Sequence, residues 1–145
     1  LLTVGGAKSL EKPKQILSEF EKGARDSGKD AKSLPKAIEI SVEYGVDIEA
    51  SIENFMKLWS GAAVPALFVN KIYTPKMSAQ NGKVVGLETI RKQGCFSENP
   101  EDHIKLIKKY IEAGFTHIYV HSKASDQIAF IKAYGKDVLP ALKET

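Results

Sequence analysis

Cysteine is nearly absent from this sequence, and long apolar runs are missing altogether. Cys95 is the only cysteine among the 145 residues, so an intramolecular disulfide is excluded and a cysteine-based metal site is not expected. A chain without structural disulfides is typical of the reducing cytoplasm, and we therefore expect a cytoplasmic protein. No apolar run approaches the roughly 18 residues that a membrane-spanning helix needs, so the sequence predicts no membrane partner.

A strong charge of one sign is also lacking. The chain has 21 basic and 18 acidic residues and a net charge of +3, a surplus too small and too dispersed to predict a nucleic-acid partner. No phosphate-loop or Gly-x-Gly-x-x-Gly motif occurs. No two histidines stand at metal-ligand spacing with a carboxylate, and His103, near the start of a predicted helix, is expected on the surface. We therefore predict no metal site.

The clearest element is a β-strand over residues 36–45. Apolar and polar side chains alternate there with a strict period of two, which is typical of a strand with two different faces. One face is apolar and the other carries Glu39 and Glu43. In an open sheet the polar face would meet water, whereas in a (β/α)8 barrel it would point into the lumen. The alternation alone leaves both arrangements open.

Two further strands and four helices complete the predicted pattern. Strands are expected at residues 1–4 and 116–121, and helices at 13–27, at 48–59, from Pro100 to Gly114, and from Ser125 or Asp126 onward. The apolar stripe of the last helix is predicted to be Ile128, Ile131, Tyr134, Val138 and Leu142. Residues 61–94 are less regular and read as short helices or loops. Strand–helix alternation predicts an α/β fold with parallel strands.

Three parallel strands leave two open sheet edges, which is a poor design for a domain that stands alone. We therefore expect these edges to pair with missing chain or with another subunit. The sequence also begins at Leu1 without an initiator Met, and its start looks truncated.

Four segments of this sequence resemble the C-terminal part of luciferase-like flavin or deazaflavin oxidoreductases. Within that family the branch dependent on coenzyme F(420) is the most similar; it includes sugar-phosphate dehydrogenases and methylene-tetrahydromethanopterin reductases. The segments are Thr3–Val4–Gly5–Gly6, the strand Ile38–Glu39–Ile40–Ser41–Val42–Glu43–Tyr44, the helix start Ser97–Glu98–Asn99–Pro100–Glu101, and the stretch from Gly114 to His121 with Asp126–Gln127 and Leu139–Pro140.

The resemblance implies a (β/α)8 TIM barrel in which the three strands are the sixth, seventh and eighth. A full barrel takes about 250 residues, so residues 1–145 would be a single incomplete domain without its N-terminal units. The implied activity is hydride transfer between coenzyme F(420), or alternatively FMN, and a small-molecule substrate, and the fragment alone would be inactive. The implied partner is the missing barrel portion or a second copy in a homodimer.

The loop after the first strand is a candidate binding site. Glycines let backbone N–H groups approach an anion, and Thr and Lys add a hydroxyl and a charge, so Thr3, Gly5, Gly6 and Lys8 are the candidates; an ordinary turn is the alternative. The resemblance implies phosphate contacts for Thr3, with Lys8 displaced from the family position, and also for Lys71. Gln93 stands where the family has a phosphate-binding arginine, which argues against a sugar-phosphate substrate.

Three residues are catalytic candidates: Glu39 and Glu43 for proton transfer, and His121 for contact with cofactor or substrate, with a hydrogen bond at the barrel rim as its alternative role. A carboxylate in a partly dry lumen can acquire a raised pKa, so Glu39 and Glu43 qualify, although we favour pairing with Lys or Arg on neighbouring strands. His121 ends the last strand and matches a histidine of the dehydrogenases. The alternative function is a non-catalytic α/β module for ligand binding or dimerisation.

Overall fold

The computed structural model describes residues 1–6, 9–45, 47–64 and 72–143. The strands are β1 (Leu2–Gly5), β2 (Ala37–Glu43), β3 (Gly94–Phe96) and β4 (His117–His121). The α-helices are α1 (Glu11–Asp26), α2 (Ile48–Trp59), α3 (Pro75–Gly82), α4 (Leu87–Arg91), α5 (Pro100–Glu112) and α6 (Gln127–Asp137), with short 3-10 turns at Ser60–Ala63 and Pro140–Leu142.

All four strands join one parallel sheet centred on β2. Residues 37–40 of β2 pair with β1 and residues 41–43 with β3, while β4 pairs along residues 37–41. Since a strand has only two edges, β1 and β3 must lie end to end on one side of β2 and β4 on the other. The predicted parallel α/β arrangement is therefore confirmed, although the sequence pattern missed β3.

The two faces of β2 differ as the alternation predicts. Ile38, Ile40 and Val42 are at most 1% exposed and pack against apolar side chains of α1, α5 and α6. The opposite face carries Glu39, Ser41 and Glu43, because successive side chains of a strand alternate. A second apolar cluster joins α2 to the region around α4, so α2 lies over a separate small core.

Helix boundaries follow the sequence signals closely. The side chains of Asp47, Asn99 and Asp126 each accept a hydrogen bond from a backbone N–H in the first turn of the helix that follows, which is how an N-cap residue acts. Gly28 and Gly114 have positive φ values of 69° and 105°, as expected where helices end.

Two expectations about side-chain burial are wrong. His103 is fully buried rather than on the surface: its Nε2 lies 3.0 Å from the Ser97 carbonyl oxygen, and its ring meets Tyr44 and Tyr134 edge-on. In α6, Ile128 and Ile131 are exposed, whereas Phe130 and Tyr134 enter the core. Tyr134 and Val138 of the predicted stripe are therefore buried as expected, whereas its first two residues are not.

Candidate functional site

A cavity of about 330 Å³ opens at the carboxyl ends of the strands. The end of β1 and the residue after it, Val4 to Gly6, form one side of it, and Phe55 and Trp59 from α2 form another. Its polar side chains are Glu39, Ser41, Gln93, His121 and Lys123. Carboxyl ends of parallel strands are where α/β proteins place their ligands, so this cavity is the candidate site.

Strand register brings Glu39 and His121 together. Ser41 of β2 is the partner of His121 on β4, so Glu39, two residues earlier on β2, lies diagonally across from His121 on the same face. His121 Nδ1 is 2.9 Å from Glu39 Oε1. The side chains are 40% and 45% exposed, so this pair faces the cavity instead of the core.

Glu43 fixes the loop that follows β4. Its side chain is 1% exposed and accepts hydrogen bonds from the Lys123 backbone N–H at 2.6 Å and from Ser122 Oγ at 3.0 Å. Burial raises the pKa of this carboxyl, and the hydrogen bonds partly oppose the rise. Glu43 therefore fixes Ser122 and Lys123 by hydrogen bonds and does not line the cavity.

Lys123 extends from that loop into the cavity although it is only 8% exposed. Its Nζ lies 2.8 Å from His121 Nδ1, 4.8 Å from the centre of the Trp59 ring and 5.7 Å from that of Phe55, distances at which a cation interacts with an aromatic face. Burial lowers the pKa of the Lys123 amine, while the charges of Glu39 and Glu43 oppose this.

The structure gathers some of the candidate residues and separates others. Glu39 and His121 line the cavity together with the backbone of Gly5 and Gly6. Thr3 is the register partner of Ile38, so its side chain belongs to the helix-covered face and not to the cavity. Lys8 and Lys71 lie outside the described residues.

Lys123 and Trp59 are cavity residues that the sequence analysis did not select. Lys123 follows the strand-end His121 by two residues, and polar residues just after a parallel strand are expected at the ligand-binding edge, so that signal was available. Trp59 is the last residue of the helix predicted over residues 48–59. Nothing in its spacing distinguished a cavity wall from core packing.

Among the described ranges, no group of three or more His, Cys, Asp or Glu side chains is placed to hold a metal ion. In the same part of the chain, no helix is both long and apolar enough to cross a membrane.

A parallel sheet with helices over its apolar face and polar groups at the strand carboxyl ends defines part of an α/β barrel. No family model matches the chain. It is 27% identical over 129 residues to "F(420)-dependent glucose-6-phosphate dehydrogenase 2" of Rhodococcus jostii, a match that covers 89% of this chain and 38% of the relative. The corresponding dehydrogenase of Kribbella flavida is 26% identical over 130 residues, with 90% and 39% covered.

Solved structures agree with these relatives. An F(420)-dependent secondary alcohol dehydrogenase, in complex with an F(420)–acetone adduct, matches with a TM-score of 0.80 and 28% identity over 98% of this chain and 42% of its own. The F(420)-dependent tetrahydromethanopterin reductase of Methanopyrus kandleri has a TM-score of 0.68 at 17% identity, covering 95% and 44%, and supports the fold alone.

The resemblance of the chain to coenzyme F(420)-dependent, luciferase-like oxidoreductases is therefore confirmed, and so is its fold as part of a TIM barrel. The chain spans only about 38% of the length of the curated relatives it matches.

Proposed function

We propose that this chain forms part of an oxidoreductase that transfers hydride between the deazaflavin coenzyme F(420) and a small organic substrate. The observation that carries the proposal is the Glu39–His121 pair, whose Oε1 and Nδ1 atoms lie 2.9 Å apart in a cavity at the strand carboxyl ends. The dependence of both curated relatives and of the solved alcohol dehydrogenase on F(420) supports this cofactor over FMN.

The residues of the cavity suit a flat ring and a small substrate. Ligand sites are mostly apolar with a few placed polar groups, and their volumes begin at about 300 Å³. The cavity offers the faces of Trp59 and Phe55, the close backbone of Gly5 and Gly6, and the side chain of Gln93. Among the described residues no arginine lines it, so a phosphate-bearing tail would be held by other parts of the protein.

When bound, a deazaflavin carries the hydride, and the protein supplies orientation and proton exchange. An alcohol that loses hydride from its carbon must also lose a proton from its oxygen. His121 would take that proton at Nε2 and return it in the reverse direction, while its Nδ1 lies 2.9 Å from Glu39 Oε1 and 2.8 Å from Lys123 Nζ. General acid–base catalysis of this kind contributes about 10²- to 10⁴-fold to a rate.

We propose an alcohol–ketone pair as the substrate class in preference to a sugar phosphate. Gln93 lines the cavity at the position where the resembled dehydrogenases have a phosphate-binding arginine, and an amide carries no charge for that contact. The solved alcohol dehydrogenase with its acetone adduct is similar to nearly the whole described chain, which supports the smaller, uncharged substrate.

The face of the sheet that bears Glu39 is incompletely covered. By register, Leu2, Val4 and Tyr119 share this face, and they are 69%, 73% and 55% exposed. Apolar patches of this kind mark contact surfaces. We propose that further βα units close the barrel over it, from the same polypeptide or from a second copy, in a cytoplasmic protein. The alternative, a non-catalytic module, receives no support from relatives whose names are those of dehydrogenases.

Equilibrium titration of the complete protein with coenzyme F(420) and with FMN tests the cofactor. We expect F(420) to bind and FMN to bind more weakly. In the matched variant His121→Gln, cofactor binding should persist while alcohol-linked reduction of the deazaflavin slows by about 10²-fold or more. Absence of binding by either flavin would overturn the proposal, and an unchanged rate in the variant would remove His121 from it.

A further inference from the structure

Two neighbours compete for a single nitrogen of His121. Nδ1 lies 2.9 Å from Glu39 Oε1 and 2.8 Å from Lys123 Nζ. A neutral imidazole nitrogen carries either one hydrogen or one lone pair, a carboxylate only accepts, and an ammonium only donates. As long as Glu39 and Lys123 are both charged, Nδ1 can therefore form a hydrogen bond with only one of them.

Lys123 depends on this nitrogen more than Glu39 does. Among the described residues, Nδ1 is the one hydrogen-bond acceptor of Lys123 Nζ, whose residue is 8% exposed. The Glu39 side chain is 45% exposed, so water can satisfy its carboxylate. Leaving a buried charged donor without a partner costs more than leaving a hydrated acceptor. Nδ1 should therefore accept from Lys123.

The backbone of Lys123 is held in place by Glu43 of β2. Glu43 accepts from its N–H at 2.6 Å and from Ser122 Oγ at 3.0 Å, and Ser122 Oγ accepts in turn from the Ala124 N–H at 3.0 Å. Nζ also lies 4.8 Å from the centre of the Trp59 ring and 5.7 Å from that of Phe55. Nζ is thus directed at His121 by contacts that do not involve the histidine.

We propose that Lys123 is a positioning residue: it donates to Nδ1, keeps the proton of His121 on Nε2, and passes a proton to Nδ1 when Nε2 gives its own to the substrate oxygen. This inference rests on the proposed function. Two protons move in it: one between His121 Nε2 and the substrate oxygen, and one between Lys123 Nζ and His121 Nδ1.

The relay balances in the direction of carbonyl reduction. A bound reduced deazaflavin would supply the hydride pair to the carbonyl carbon; the Nε2–H bond of His121 would break as an O–H bond formed on the substrate. The Nζ–H bond then breaks as an Nδ1–H bond forms, which leaves a neutral amine and a neutral imidazole. In that state Nδ1–H can donate to Glu39 and toward the amine lone pair, so both contacts of Nδ1 become favourable.

The environment of Lys123 favours the neutral amine that ends the relay. Burial lowers the pKa of Lys123, although the charges of Glu39 and Glu43 oppose the shift. The reverse steps apply to alcohol oxidation, where Nε2 takes the proton and the amine recovers its own.

Nitrogen NMR of the histidine rings tests this in the complete protein without cofactor. The chain has three histidines, so His103→Gln and His117→Gln assign the His121 resonances. We expect Nδ1 to be unprotonated in the wild type, to become protonated in Lys123→Met, where only Glu39 remains beside it, and to stay unprotonated in Lys123→Arg, which keeps a donor. Lys57→Met, at an exposed site on α2, controls for the loss of one charge.

A protonated Nδ1 in the wild type overturns the inference, and so does an unchanged tautomer in Lys123→Met. If Lys123→Met does not fold, the wild-type tautomer alone decides.

As a kinetic check, Lys123→Met should lower kcat for carbonyl reduction by about 10²-fold with KM retained, and Lys123→Arg should keep substrate binding. The NMR measurement needs neither cofactor nor turnover. If the His121 tautomer is the expected one but the protein does not bind a deazaflavin, only the proposed function is contradicted.

Discussion

Gly5 occupies a position with no space for a side chain. A Cβ there would overlap Tyr110 Oη and come within 2.7 Å of Ile38 Cδ1. Tyr110 is fully buried, and its hydroxyl donates to the Gly6 carbonyl oxygen at 2.8 Å. The close approach lets the loop after β1 lie against α5 and present its backbone to the cavity.

Gly5→Ala should therefore destabilise the protein by about 1–3 kcal/mol, the usual cost of overpacking a core. Gly23→Ala is the matched control, because a Cβ at Gly23 in helix α1 meets nothing within 4 Å and alanine is the better helix former by about 0.5–1 kcal/mol. Urea denaturation of the two variants measures the difference. Equal stabilities would contradict the packing that we describe.

Glu43 should make stability depend on pH. Because burial raises its pKa above the ordinary 4.5, folding favours the protonated carboxyl. The stabilising contribution is then complete below pH 4.5 and is lost as the pH rises through the raised folded-state value. Glu43→Gln keeps an acceptor for the Lys123 N–H but does not titrate.

The free energy of unfolding of Glu43→Gln, relative to the wild type, should thus increase between about pH 4 and pH 7. Glu88→Gln, at an exposed site on α4, controls for the change in net charge. Urea denaturation at a series of pH values measures the free energy of unfolding of each variant relative to the wild type. A constant difference for Glu43→Gln would show that this carboxyl has no raised pKa.

At the scale of the element, helix starts are encoded locally and could be predicted. Asn99 stands before Pro100, and its side chain accepts from the Glu101 N–H at 3.1 Å. Proline at the first helical position needs no N–H partner, and the acids at Glu101 and Asp102 suit the positive end of the helix dipole. All of these groups lie within one turn, so no distant contact was needed to place the boundary.

Asn99→Ala should destabilise the protein by about 1 kcal/mol through loss of this cap. Asn99→Asp keeps an acceptor at the same place and should be nearly neutral. Thermal and urea unfolding of both variants provide the comparison. If the alanine and aspartate variants are equally stable, the cap contributes nothing and α5 is held by packing alone.

Burial of α6 and the existence of β3 could not be predicted from local pattern. Tyr134 and Val138 of the predicted stripe take core positions, but Phe130 is buried where Ile128 and Ile131 were expected. Tyr134 meets the rings of Tyr44 and His103 edge-on. Strand β3 has three residues, Gly94–Phe96, and exists only because residues 41–43 of β2 offer a free edge. Both features depend on partners remote in sequence.

At the scale of the whole molecule, the strand alternation and the four family-like segments were sufficient to predict part of an F(420)-type barrel. Glu39 could be chosen because it stands on the polar face of β2, and His121 because it is the last residue of β4. The place of Lys123 just after β4 was a signal in the sequence, but the hydrogen bond that fixes its backbone reaches Glu43 across 80 residues of sequence. Sequence spacing alone does not reveal such a bond.

Transfer of deuterium tests the central claim most directly. The complete protein is mixed in a single turnover with oxidised coenzyme F(420) and a secondary alcohol that carries deuterium on its carbinol carbon. Our account predicts that the reduced deazaflavin contains the deuterium, because the hydride moves directly from carbon to the ring while His121 takes the hydroxyl proton. Absence of reduction across a series of small alcohols, or reduced cofactor without the label, would contradict it.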